Sequence, residues 1–288
     1  MAQLEQYRIF ASVAQNKSFC KAAAELYITQ PAISQSIKQL ENELETQLFI
    51  RTSRGAQLTE AGETLFKYVE EALSILKNAE VHINELKALE HGQLNIGASD
   101  TLCHHYLLPY LQSFHQKYPH VNLKVTNRTS KETVELLRSG KVDIGFINMP
   151  TDIGENLEFK TLEVLHDCFV FNEKFFSVSS LSDILSLPIL MLEKDSSTRR
   201  YTDSYFKTIG VNLNPQIELG SHELLLSFAK IGLGVAAVVR EYSAEYIKSG
   251  ILKEVNLKNS IPPRSIALVF HSKIPLSLSA KEFVKFFK

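Results

Sequence analysis

The sequence predicts an α/β chain in parts: an N-terminal all-α winged helix-turn-helix, a long linker helix, and a larger domain of two α/β lobes. Three observations carry this. Two helical patterns are separated only by Tyr27 to Thr29, the tight spacing of a helix-turn-helix. Residues 59–89 hold apolar side chains at alternating three and four spacing, as a coiled-coil seam does. From residue 92 onward, short apolar strands alternate with helical patterns, and the alternation repeats, which implies strands joined by crossover helices. A chain of 288 residues, 44% hydrophobic and 22% charged, has the size and composition to fold as more than one domain.

Along the first unit, Leu4, Tyr7, Ile9, Phe10, Val13 and Ala14 recur at helical spacing, and Asn16 to Ser18 interrupts them. Ser18 is placed to cap a second helix from Phe19 to Leu26. Pro31 suits the first turn of a third, whose inward stripe is Ile33, Ile37, Leu40 and Leu44. LFIRTSRGAQLT reads as two short strands around Ser53-Arg54-Gly55, a wing that closes a domain over residues 1–58. Charge does not single this unit out. Over residues 1–60, Arg8, Lys17, Lys21, Lys38, Arg51 and Arg54 are matched one for one by Glu5, Glu25, Glu41, Glu43, Glu45 and Glu60, and the whole chain carries a formal charge of -1.

Thr59, followed by Glu60, is placed to cap the linker helix, whose seam is Ala61, Leu65, Val69, Ala72, Leu76, Ala79, Ile83 and Leu86. A helix roughly 45 Å long and apolar on one side does not stand alone in water. A second subunit is the expected partner, and the chain's own C-terminal domain is the alternative. The strands QLNIGAS, VNLKVTN, KVDIGFIN, CFVFN, LPILML, QIELGS, VAAVV and RSIALVFH, with the helical patterns between them, predict parallel sheets over residues 92–288. Lobe I is expected at about 93–162 with 265–288, ending in a helix from Leu278 to Phe287, and lobe II at about 163–264. A ligand is expected between the carboxyl ends of their strands.

Several function classes fall away. No apolar stretch is long enough for a membrane span or an export signal, so the cytoplasm is expected. Cys20, Cys103 and Cys168 lack CxxC spacing and read as reduced thiols, with a redox role for Cys103 or Cys168 left open. There is no GxSxG elbow and no Walker loop, and GLG at 232–234 is too short for a dinucleotide fingerprint, so neither an enzyme nor a cofactor is expected. His104, His105, His115 and His120 raise the question of a metal. Neighbouring helical residues point about 100° apart, and no Cys or carboxylate completes an HExxH or CxxC pattern, so no metal site is expected. A plain solute-binding protein would share the two lobes, but not residues 1–89.

The stretch SFCKAAAELYITQPAISQSIKQLENELETQLFIRTSRGAQLTEAG resembles the signature of the LysR-type transcriptional regulators. It does so through Ser18-Phe19, Ala22-Ala23, Leu26, Gln30-Pro31-Ala32, Ser34, Ile37, Leu40-Glu41, Leu44, Leu48-Phe49, Arg51, Leu58-Thr59 and Ala61-Gly62. LLPYLQSFHQKYPHV, ELLRSGKVDIGF, DSSTRRY and AKIGLGVAAV are similar to the family's effector domain, so the resemblance spans essentially the whole chain. Cys20 stands where the family usually has Ser or Thr, and Gln35 where Arg is common. The resemblance implies a periplasmic-binding-protein-like effector domain and a sequence-specific regulator of double-stranded operator or promoter DNA. It also implies a small effector between the lobes, a homodimer through residues 59–89 and a homotetramer through the effector domains. RNA polymerase is a partner the class admits.

Gln30, Pro31, Ala32, Ser34, Gln35 and Lys38 lie along the outward N-terminal half of the third helix, the half that enters the major groove in a helix-turn-helix. Gln30 and Gln35 can make the two-point contact with adenine, and Ala32 can meet a thymine methyl. Ser34 and Lys38 suit phosphates, and Ser18 joins the DNA-facing set. Arg51 and Arg54 suit phosphate or the minor groove. Arg51 could instead brace the helices.

In the effector domain, Ser99, Asp100 and Thr101 follow a strand and open a helix, where free N–H groups can receive an anion. Thr129 and Glu132 have capping-box spacing, and the family places an effector-facing hydroxyl near Thr129 or Ser130. Asn148 ends a strand toward the cleft, and Ser197, Thr198 and Arg199 offer hydroxyls and a guanidinium at another helix start. The set resembles family branches that sense sulfur or carbon-fixation metabolites, so a small anionic effector is expected. The competing picture is an apolar pocket against Phe146 and Phe228.

Overall fold

The computed structural model describes residues 2–52, 55–85 and 92–287, in two compact units, 1–83 and 84–288. The first unit holds α1 (Leu4–Asn16), α2 (Phe19–Leu26), α3 (Gln30–Glu43), β1 (Phe49–Thr52), β2 (Gly55–Leu58) and α4 (Glu60–Glu85). Ser18 caps α2 by accepting from the Lys21 N–H, and Thr29 caps α3 by accepting from the Ala32 N–H. Lys17 and Tyr27 take left-handed backbone at the two turns, with φ of 50° and 56°, so each helix stops abruptly. The core is Ile9, Phe10, Val13, Ala22, Ile33, Ile37, Leu40, Leu48 and Phe49. The Phe49 ring meets Phe10 at 5.3 Å and Phe19 at 5.6 Å, which fastens the wing to the helices. Glu41 accepts from the Leu48 and Phe49 N–H groups at 2.8 and 3.2 Å, turning the chain from α3 into β1.

The linker helix differs from the expected seam. Val69 is buried in the core of its own unit, with Leu65, Phe66 and Leu73 packed beside it. Its first turns therefore complete the N-terminal domain. Tyr68, Ile75 and Leu76 are exposed, while the side chains of Ile83 and Leu86 lie outside the described residues.

In the second unit the strands are β3 (Gln93–Ala98), β4 (Asn122–Asn127), β5 (Ile144–Asn148), β6 (Leu157–Leu165), β7 (Asp167–Phe171), β8 (Ile189–Leu192), β9 (Ile217–Leu219), β10 (Val235–Val239), β11 (Lys253–Glu254) and β12 (Arg264–His271). One sheet has the order β4-β3-β5-β12-β6 and the other β11-β7-β10-β8-β9. The helices are α5 (Asp100–Leu102), α6 (Leu108–Lys117), α7 (Ser130–Arg138), α8 (Leu181–Ser186), α9 (Ser197–Thr208), α10 (His222–Lys230), α11 (Arg240–Lys248) and α12 (Leu278–Val284). A π turn at Cys103–Leu107 joins α5 to α6, where Pro109 cannot donate to the His105 carbonyl.

The sheets are mixed rather than parallel. β12 runs antiparallel to β5 and β6, and β7 antiparallel to β10 and β11. The cause is the double crossover: the chain leaves lobe I from β6 into β7 and returns into β12, and each crossing strand enters against its neighbours. α8, α11, the short β11 and the largely exposed β6 escaped the sequence reading, and α12 ends at Val284 rather than Phe287.

A glycine on α4 tests how tightly the first unit is closed. A Cβ on Gly62 would sit 2.2 Å from the Leu48 carbonyl oxygen. In an open helix, Gly→Ala stabilises by about 1 kcal/mol. Here Gly62→Ala is expected to destabilise by about 1–3 kcal/mol through overpacking. A thermal melt of the full-length variant at or above the wild-type midpoint would refute the close approach.

Candidate functional site

Two surfaces carry the residues singled out above. On α3, Ile33, Ile37 and Leu40 face the core, leaving Pro31, Ala32, Gln35 and Lys38 exposed. Gln30 and Ser34 are half-buried, and the Gln30 Nε2 donates to Ser34 Oγ at 2.9 Å. Gln35 therefore stands clear at the centre of the face, while Gln30 is held against its own helix. Ser18 is occupied as the cap of α2. Arg51 lies in β1, but its side chain, like all of Arg54, falls outside the described residues.

The second surface is a pocket of about 320 Å³ between the lobes of the second unit, lined by Ser99, Asp100, Thr101, Thr129, Ser130, Asn148, Ser197 and Thr198 among others. The starts of α5, α7 and α9 converge on it. Each start leaves N–H groups without helical partners and contributes the positive end of a helix dipole. Some expected donors are already in use. Ser99 Oγ accepts from the Leu102 N–H, and Thr129 forms a complete capping box with Glu132. Ser130 is buried and its Oγ accepts from the Asn148 N–H at 3.0 Å, so it holds β5 against α7. Thr101, Ser197 and Thr198 are half-exposed in the lining.

Charge around the pocket is mixed. Arg128 is the cation of the lining, against Asp100, Glu132, Glu193 and Asp195. The Thr129 hydroxyl and N–H hold the Glu132 carboxyl below its ordinary value, so that carboxylate serves the cap. Arg199 lies apart from the pocket. It is 4% exposed and donates to Asp203 and the Leu192 carbonyl, bracing lobe II. Phe146 is enclosed in the lobe I core and Phe228 packs on a lobe II cluster; neither lines the pocket.

Arg264 is the residue that sequence reasoning missed. It begins the returning strand β12, is buried, and makes paired bonds of 2.6 and 2.9 Å to Asp167 at the start of the outgoing strand β7. Its remaining donors reach Asn148 Oδ1 at 2.6 Å and Thr198 Oγ at 3.0 Å, one from each lobe. Behind the pocket, one guanidinium thus ties both crossovers and two lining side chains. Neither an Arg after two prolines nor an Asp opening a strand carries a local signal; only the crossover brings them together.

Beyond the pocket, His104 and His105 on the π turn approach His222 and Glu223 of α10, and His105 stacks on Tyr242 at 4.4 Å. Burial pushes the His105 imidazole down to about 4, so it is neutral near pH 7. Burial also pushes the Cys103 thiol up to about 11 and raises Cys168 further, leaving both protonated and weakly reactive at neutral pH.

Comparison with known proteins agrees with this division. Residues 4–63 match the model of the bacterial regulatory helix-turn-helix protein, lysR family, and residues 87–288 match the LysR substrate binding domain. The chain is 30% identical to a probable RuBisCO transcriptional regulator of Nostoc sp., across 97% of this chain and 86% of that protein. It is 32% identical to one of Cyanophora paradoxa, across 97% and 89%. Among solved structures, a full-length OxyR variant from Pseudomonas aeruginosa superposes with a TM-score of 0.67 at 19% identity, covering 100% of this chain and 98% of that one. Full-length CbnR complexed with its target DNA gives 0.63 at 19%, covering 99% and 98%. These structural neighbours share the fold.

The Arg264 clamp yields a direct expectation. Arg264→Met leaves Asp167 buried without its partner, and removing one member of a buried pair costs about 3–5 kcal/mol. Thermal unfolding of the full-length variant should show that loss, and Arg264→Met with Asp167→Leu should recover part of it. Equal melts for the single variant and wild type would mean that the pair does not hold the crossovers.

Proposed function

Because the chain belongs to the LysR family of DNA-binding transcriptional regulators, we propose that α3 reads its operator through Gln35 and that a small anionic metabolite in the interlobe pocket modulates DNA binding or promoter activity. The convergence of the α5, α7 and α9 starts on one pocket is the observation that supports the effector reading. An anionic group placed there meets N–H donors and the Ser99, Thr101, Ser197 and Thr198 hydroxyls without needing a buried Lys. The rim carboxylates Asp100, Glu193 and Asp195 favour a ligand whose other end carries hydroxyl or amine groups. Carboxylated or phosphorylated metabolites of that kind fit the pocket better than aromatic or fatty ones.

We further read α4 as the dimerisation helix, through the exposed Tyr68, Ile75 and Leu76. A symmetric dimer presents two α3 helices to half-sites about one helical turn apart or more, so an imperfect palindrome is the fitting operator. Gln30, Ala32, Ser34 and Lys38 complete the DNA-facing set, with Arg51 and Arg54 in the wing toward the backbone or minor groove.

Two experiments test these readings. Gln35→Ala should cost about 1–3 kcal/mol of operator affinity at one base position per half-site, measured by binding to a panel of single-base operator variants. An unchanged base preference would take Gln35 out of the readout. In a thermal-shift screen of the full-length protein against carboxylated and phosphorylated metabolites, a ligand at a hundred times its dissociation constant should add about 2.7 kcal/mol. Thr101→Val keeps the side-chain shape and removes the hydroxyl, so it should abolish that shift. If Thr101→Val and Ser99→Ala both left the shift and the effector-dependent DNA affinity intact, the anion site would be refuted.

A further inference from the structure

Independently of which metabolite fills the pocket, we propose that His104, His105 and Glu223 form a binding site for a divalent transition-metal cation that bridges the two lobes. The histidines lie on the π turn of lobe I, one turn past the Ser99–Thr101 edge of the pocket, and the carboxylate comes from the first turn of α10 in lobe II. The sequence pattern offered no third ligand because the carboxylate is more than a hundred residues away in the chain. In the fold, one donor atom from each of the three residues lies within 4.8 Å of the others.

The surroundings aim these groups at a common point. His105 Nε2 lies 3.1 Å from Glu223 Oε1, yet it is buried with no hydrogen bond of proper geometry. Its ring is held flat against Tyr242, with 5° between the planes. His222, 2% exposed, accepts the Val239 N–H on Nε2, so its neutral ring carries the proton on Nδ1. That Nδ1 lies 4.0 Å from Glu223 Oε1 and is buried without a partner, facing the cluster. His222 thus leaves an unused buried donor beside the Glu223 carboxylate.

Two imidazoles and a carboxylate are the donor set of zinc and its neighbours rather than of magnesium or calcium, and they leave a fourth position open. A tetrahedral ion with bonds of about 2.0–2.2 Å keeps its donors roughly 3.4 Å apart, close to the His105–Glu223 spacing. His104 is exposed and free to close the remaining gap. An ion held there would pin the lobes at a fixed opening beside the effector pocket.

The test uses the full-length protein after chelator treatment, titrated calorimetrically with Zn²⁺ and separately with Mg²⁺. One Zn²⁺ per chain is expected, with no heat from Mg²⁺ and at least tenfold weaker zinc binding in both His104→Gln and Glu223→Gln. His104 is exposed and the Glu223 side chain is 42% exposed, so both variants should melt as wild type without metal. Co²⁺ as a probe should give visible bands of nitrogen and oxygen ligation without the thiolate charge-transfer band that Cys103 would add. Zinc binding no stronger than magnesium binding would overturn the site. Zinc affinity unchanged by both substitutions would overturn it too, leaving His105 and Glu223 as an interlobe contact only.

Discussion

The buried pair of Arg264 and Asp167 is the constraint on which the C-terminal half depends. The chain passes between lobes once outward and once back, and these residues stand at the two passages, both almost fully buried. A charge taken out of water at such a place is tolerable only with an opposite charge and good hydrogen bonding. The guanidinium achieves this by directing its donors to Asp167, Asn148 and Thr198. The relative seating of the lobes and the posture of two lining side chains are therefore one structural fact. A ligand that pulled Thr198 or Asn148 would act directly on the crossovers, a physical route by which occupancy of the pocket can alter the lobe arrangement.

The N-terminal unit solves a different problem, that of presenting a polar helix face from a small core. Aromatic contacts among Phe10, Phe19, Phe49 and Phe66 lock α1, α2, the wing and α4 together. Glu41 and Gly62 make the close approaches at Leu48 that this packing needs. Much of the family signature is thus architectural: its apolar and glycine positions hold α3 so that Gln35 and Lys38 project outward. The near-balance of charge in this unit means that affinity for DNA must come from placed contacts rather than from a general basic field.

The pocket is an arrangement of helix starts and rim charges rather than of apolar walls. Helix dipoles and unpaired N–H groups supply positive potential at its floor, while Asp100, Glu193 and Asp195 counter it at the edge. The same cavity therefore sets positive helix ends against nearby carboxylates. The histidine cluster beside it brings the same two lobes into contact through different elements.

Read alone, the sequence determined most of the elements and their order. Three of the four stripe positions, Ile33, Ile37 and Leu40, are buried as read, while Leu44 at the end of α3 is exposed; with the caps Ser18 and Thr59 and the alternation of strands and helices after residue 92, these are local patterns, legible because helix and strand periodicities act over a few residues. It also marked Ser99, Thr101, Ser130, Asn148 and Thr198, which the fold brings to one pocket, since hydroxyls at helix starts are a local signal too. Tertiary structure alone decided the rest. Arg199 turned inward to Asp203 because the helix face it occupies is buried, and Leu65 and Val69 went to their own domain's core rather than the outer seam. The mixed sheets, the pairing of Arg264 with Asp167 and the meeting of His105 with Glu223 all follow from two crossovers joining residues about a hundred apart. No pattern within a few residues can encode a contact whose partners meet only when the lobes close on each other.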